Sequence, residues 1–126
     1  MRRNIDEVLA AARARLRRLT PAEAAIAMHD GAVLVDTRDG DVRAGEGTIP
    51  GAMHVPLSVL EWRVDPDSGS QDPALAGKED QLILICREGY SSSLAAIRLH
   101  ELGLVKTTDV IGGFAAWVAA GLPVER

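Results

Sequence analysis

Short apolar runs separated by amphipathic stretches set the plan of this chain. Ala32 to Asp36 reads AVLVD and Gln81 to Cys86 reads QLILIC, both of the length and composition of buried strands. Ala52 to Val55 and Thr108 to Ile111 are shorter strand candidates. Thr20-Pro21-Ala22-Glu23 combines a capping box with proline at the first helical position. It predicts a helix to about His29, which Gly31 can end in a left-handed conformation. Pro56 can open a short helix through Trp62, Ser92 to Leu102 predicts a longer helix closed by Gly103, and Gly113 to Ala120 predicts a last one. Thr37 to Gly51, with four glycines and a proline, reads as loop. Asp65 to Asp72 (DPDSGSQD) reads as the most flexible loop. Strands alternating with helices across short links predict a mainly parallel sheet with helices on both faces, the three-layer α/β/α plan.

The N-terminal stretch carries a different pattern. Ile5, Val8, Leu9, Ala12, Leu16 and Leu19 recur at helical spacing, and arginines mostly fill the other faces. Residues 1–19 are therefore expected to form an amphipathic basic helix ahead of a domain at 20–126. Residues 1–20 hold six arginines against Asp6 and Glu7, a charge of +4; the whole chain is −4, so the rest carries −8. Residues 5–19 are expected to dock on the domain, on a protein partner or on a second copy, rather than on nucleic acid or membrane.

Composition narrows the classes. At 126 residues the expectation is one core, and 47% apolar with 25% charged residues is ordinary for a soluble globular chain. Aromatics make up 3%, so the core must rest on Ala, Val, Leu and Ile. No apolar run approaches the ~18 residues of a membrane span. Arg2 and Arg3 are not followed by the apolar stretch of a secretory signal. One cysteine permits neither an intramolecular disulfide nor a zinc site built on paired cysteines, and a reducing, cytoplasmic setting is expected.

That cysteine sits in ICREGYSSS, residues 85–93, where an apolar strand stops and a helix begins. In open α/β sheets, ligands bind outside the carboxyl ends of the strands. A helix N-terminus carries unpaired N–H groups and a partial positive charge. Gly89 permits a tight curl before it, and Ser91, Ser92 and Ser93 can donate hydroxyls or cap the helix. The expected product is an anion cradle with sulfur at its floor, in which Cys86 is a thiolate nucleophile. Arg87 adds attraction and Glu88 opposes it. An inert, buried strand-end cysteine is the competing reading.

From about Thr20 to Glu125, some five-sixths of the chain, the sequence resembles a single-domain rhodanese, the sulfurtransferase family. The resemblance rests on LVDTR at 34–38, TIPGAMHVP at 48–56, CREGYSS at 86–92 and DVIGGFAAW at 109–117, in that order. It implies a rhodanese-like α/β fold in which Cys86 takes a sulfane sulfur from a small anionic donor such as thiosulfate. The persulfide then passes the sulfur to cyanide or a cellular thiol. It further implies that the N–H groups of Arg87, Glu88, Gly89, Tyr90, Ser91 and Ser92 cradle the donor and the persulfide, and that no metal or organic cofactor is required. Two alternatives stand beside it. A silent rhodanese-like module would bind a partner or carry sulfur. A cysteine phosphatase or arsenate reductase would need an arginine six positions after the cysteine, where this chain has Ser92.

Other residues are weaker candidates. Asp36 resembles a family aspartate that supports the active-site loops, and Arg38 follows it; a turn cap or surface ion pair is the other reading. Arg63 is a candidate to reach over the pocket toward an anionic donor. His54 reads as structural, His29 and His100 as exposed, and Trp117 as core. Thr48 stands where the family often has histidine, at a position that is usually structural.

Overall fold

The computed structural model describes residues 1–126. Its elements are α1 (Ile5–Ala14), α2 (Pro21–His29), β1 (Val33–Asp36), α3 (Gly40–Glu46), β2 (Met53–His54), α4 (Leu60–Val64), β3 (Leu82–Ile85), α5 (Ser91–Glu101), β4 (Thr108–Asp109) and α6 (Gly113–Ala119). Single 3₁₀ turns at Leu57–Val59 and Pro73–Leu75 complete the chain. The sheet is all parallel in the order β2-β1-β3-β4.

β1 and β3 are apolar on both sides because helices cover both faces, as a parallel sheet requires. Their side chains still sort by period two. Val35, Leu82 and Leu84 pack with Leu60 and Val64 of α4 and with Ala95, Ala96 and Leu99 of α5. Leu34, Ile83 and Ile85 pack with Ala24 of α2 and with Phe114 and Trp117 of α6. The α/β/α sandwich expected from the alternation is therefore present. The Thr20–Glu23 capping box forms, with Glu23 N–H to Thr20 Oγ1 at 3.2 Å and Thr20 N–H to Glu23 Oε1 at 2.8 Å. Gly31 ends α2 at φ +107°. No helix is long and apolar enough to cross a membrane.

Three expectations need correction. The N-terminal helix stops at Ala14, five residues short, although Leu16 and Leu19 kept the helical period. Leu19 instead adds a parallel bridge beside β4, with Leu19 N–H to the Asp109 carbonyl at 3.1 Å and Ile111 N–H to the Leu19 carbonyl at 2.8 Å. An exposed sheet edge claims that backbone, which a continuing helix would withhold. The stretch Thr37 to Gly51 is not all loop, since α3 lies within it. Its glycines suggested irregular chain, but Arg43 of α3 is tied to the buried Asp36 carboxylate at 3.1 Å. A tertiary ion pair there outweighs local propensity. His100 is not free at the surface: its Nε2 lies 2.8 Å from the Thr107 carbonyl.

Asp36 is fully buried. Arg38 grips it through Nε at 3.0 Å and Nη2 at 2.7 Å, bonds the Gly47 carbonyl at 2.8 Å and stacks over the Phe114 ring at 3.7 Å. The pair locks the chain between β1 and β2 over the carboxyl end of the sheet. It is an interior clamp, not a surface ion pair. His54 Nε2 meets the Arg38 carbonyl at 2.7 Å, in keeping with a structural part.

Candidate active site

Cys86 follows the last residue of β3, and its side chain points by alternation to the α5 side of the sheet, as Leu84 does. The thiol is only 5% exposed. The loop from Arg87 to Tyr90 turns back over it so that the Gly89 N–H lies 3.1 Å from Sγ. The turn needs Gly89 at φ +85°, and a β-carbon there would meet the Gly112 nitrogen at 2.7 Å. Ser92 Oγ lies 3.2 Å from Sγ.

Burial disfavours a thiolate here. The hydroxyl and N–H of Ser92, the hydroxyl of Ser91 and the Gly89 N–H act the other way and prevail, so the Cys86 thiol ionises below the ordinary cysteine value. The native thiol thus loses its proton at a pH where the unfolded one still holds it. Stability from this group is absent below the native value and grows as pH rises toward the unfolded one. Reactivity follows the same titration. Alkylation by iodoacetamide is expected to rise with pH and level off earlier than for a free cysteine. In Ser92→Ala the midpoint moves up and alkylation at neutral pH slows roughly fivefold, the worth of one hydrogen bond. An unchanged pH profile would remove Ser92 from the site.

The serines do not cap α5, whose N-cap is Tyr90 with no side-chain cap bond. The hydroxyls of Ser92 and Ser93 each donate to Asp109 Oδ2 at 2.7 Å. Asp109 is fully buried on β4, opposite Leu84 in the sheet register, so its carboxylate lies on the α5 face behind the loop. Arg18 closes the far side, with Nε 2.8 Å from Oδ1 and Nη2 3.2 Å from Oδ2. Arg13 and Arg18 also converge on the Gly89 carbonyl, at 2.8 and 3.0 Å. Sequence reasoning named Ser93 as a hydroxyl donor or helix cap but did not single out Arg13, Arg18 or Asp109. The available signal was an ionisable residue within a short strand of a parallel sheet, where buried positions are otherwise apolar.

The remaining candidates lie further out. Arg87 is exposed, pairs with Glu46 of α3 at 2.7 Å and with Glu88 at 3.2 Å, and is not a free cation over the thiol. Tyr90 is exposed, with the Arg13 guanidinium 5.4 Å from its ring centre. Arg63 donates to the Ser70 carbonyl at 2.8 Å and faces Asp72 at 3.5 Å, so it braces the Asp65–Asp72 loop. Asp36 and Arg38 support the neighbouring β1 end. No group of three or more acidic, histidine or cysteine side chains has metal-binding geometry.

Three comparisons bear on this geometry. A family model described as a rhodanese-like domain matches residues 20–120. A thiosulfate sulfurtransferase, GlpE, of Haemophilus influenzae is 33% identical over 109 residues, covering 86% of this chain and 94% of its own. A chloroplastic thiosulfate sulfurtransferase of Arabidopsis thaliana is 29% identical over 112 residues, covering 83% and 93%. Among solved structures, a Rhodopseudomonas palustris protein of unknown function, described as a possible tyrosine phosphatase, superposes with a TM-score of 0.87 at 32% identity, over 99% of this chain and 96% of its own. A human single-domain sulfurtransferase shares the fold, with a TM-score of 0.66 at 23% identity over 81% and 95%.

Proposed function

The chain belongs to the rhodanese-like domain family, and from that premise we propose that it is a sulfurtransferase working through a persulfide on Cys86. One observation carries the reading: a buried sulfur at a strand end with the Gly89 N–H at 3.1 Å and the Ser92 hydroxyl at 3.2 Å. The Gly89 N–H sits where negative charge must stay through every step, and the Ser92 hydroxyl, which here accepts from the thiol and donates to Asp109, can turn its proton to the sulfur once the thiol ionises.

With thiosulfate as donor, the Cys86 thiolate attacks the outer sulfur. A sulfur–sulfur bond forms to Cys86, the bond to the sulfonate sulfur breaks, and sulfite leaves with that electron pair. The charge now rests on the terminal persulfide sulfur, within the cradle of N–H groups from Arg87 to Ser92. Cyanide, or a thiolate of the cell, attacks that terminal sulfur, takes it as thiocyanate or as a new persulfide, and returns Cys86 as thiolate. The chain has no second cysteine, so discharge goes to an external acceptor. A reducing, cytoplasmic setting suits a lone working thiol.

Phosphatase chemistry is disfavoured by Ser92. The position where an arginine would clamp phosphate is buried, and its hydroxyl is committed to Sγ and to Asp109. The silent-module reading is disfavoured by the lowered thiol.

The direct test is intact mass spectrometry after incubation with thiosulfate. A gain of one sulfur that cyanide removes supports the enzyme; no gain with any sulfane donor sinks it. Glu88 bears on donor choice. With Glu46 it places two carboxylates against Arg87 near the mouth, so Glu88→Gln is expected to lower the KM for thiosulfate by up to about fivefold at low salt, less at high salt. Unchanged thiosulfate turnover would show that Glu88 does not act on the donor.

A further inference from the structure

The family match covers residues 20–120, yet two arginines outside it reach the reactive loop. The contacts form a continuous chain. Arg18 pairs with Asp109, Asp109 accepts from Ser92 and Ser93, and Ser92 meets Sγ. A carboxylate buried one hydroxyl away from a thiolate is adverse by itself, since like charges in a weakly screened interior repel strongly. Arg18 removes that penalty, and its side chain is only 15% exposed, so solvent does little of the screening. With Arg13 it also holds the carbonyl of Gly89, the most permissive residue of the loop, whose N–H meets the sulfur.

We propose that Arg18 and Arg13 of the N-terminal segment are positioning residues for Cys86. Arg18 neutralises Asp109 so that the carboxylate can hold Ser92 and Ser93 in place without repelling the thiolate or the persulfide. Asp109 is the hinge of this arrangement, a structural acceptor that becomes tolerable only through Arg18. The inference rests on the proposal that Cys86 reacts as a thiolate. It assigns the segment 5–19 an intramolecular task, while Arg2, Arg3, Arg15 and Arg17 stay exposed. The other charges around the thiol are mutually engaged: Arg87 with Glu46 and Glu88, and Asp36 with Arg38 and Arg43.

The test measures iodoacetamide alkylation of the full chain against pH, a readout independent of any sulfur donor. Charge balance predicts opposite shifts. Arg18→Ala strands Asp109, moves the thiol midpoint up and slows alkylation at neutral pH about tenfold. Asp109→Asn keeps an acceptor for the serines, removes the adverse charge and moves the midpoint down. The double variant Arg18→Ala/Asp109→Asn returns close to the native profile. If Arg18→Ala does not fold, Asp109→Asn decides alone. A purely structural part for the pair predicts upward shifts in all three variants, and that outcome, or no shift in Asp109→Asn, overturns the proposal. Arg13→Ala is expected to slow alkylation about threefold with little change in midpoint, by loosening Gly89; an unaltered rate removes Arg13 from the assignment. Absence of a persulfide in the mass test, with these shifts present, would refute the sulfurtransferase reading and leave the charge balance standing.

Discussion

Cys86→Ser is expected to abolish sulfur transfer while leaving the fold intact. Serine fits the space of the native side chain, and its oxygen can still accept from the Gly89 N–H and bond Ser92. Stability should therefore change by no more than about 1 kcal/mol, read from thermal melting. Chemistry is another matter. A serine hydroxyl has no accessible anion at neutral pH and cannot form a stable adduct with a sulfane sulfur. The loss of turnover is expected to be at least about 10³-fold, to the level of the uncatalysed exchange. Thiosulfate treatment should leave the variant's mass unchanged. Cys86 is the only cysteine of the chain, so a one-sulfur gain in Cys86→Ser would show that the sulfur is carried elsewhere and would end the persulfide reading.

Gly113→Ala is expected to damage both stability and the cradle. Gly113 opens α6 at φ +60°, and an added β-carbon would stand 2.5 Å from the Cys86 carbonyl, 2.7 Å from the Gly89 nitrogen and 2.8 Å from the Arg87 carbonyl carbon. These are backbone atoms of the reactive loop and cannot swing aside. The neighbouring N–H groups of Phe114 and Ala115 bond the carbonyls of Cys86 and Arg87 at 2.8 and 3.0 Å, so α6 and the loop are one unit. A methyl group must part them, at a cost of about 3 kcal/mol or more and a fall in melting temperature on the order of 10 °C. Gly121→Ala is the control. Its φ is +74°, but its β-carbon meets nothing within 4 Å, so only backbone strain of about 1 kcal/mol is expected. Equal losses in the two variants would show that the α6 contact does not matter.

Much of this was legible in the sequence because the signals were local. The strands at 33–36 and 82–85 follow from apolar, β-branched runs, and α2 follows from its capping box. Cys86 at a strand end before a glycine and serines announced a cradle. What failed was also local reasoning. Glycines hid α3, which Asp36 stabilises from outside the segment. The apolar period carried the first helix past Ala14, where a sheet edge took the chain instead. Arg63 looked free to reach the pocket, yet the Asp65–Asp72 loop folds back on it.

Pattern and motif determined the fold class and singled out Cys86, because hydrophobic periodicity and turn chemistry act between residues close in the chain. The surroundings of Cys86 were decided only in three dimensions. Asp109 reads as the start of DVIGG, and Arg18 as one of six N-terminal arginines. Parallel pairing of β4 with β3 sets Asp109 opposite Leu84 and so beneath Ser92 and Ser93. The bridge at Leu19 then brings Arg18 to the same carboxylate, 91 residues away in sequence. A buried charge must find a countercharge. The sequence holds both partners, but their distance depends on strand order and register, which tertiary packing sets.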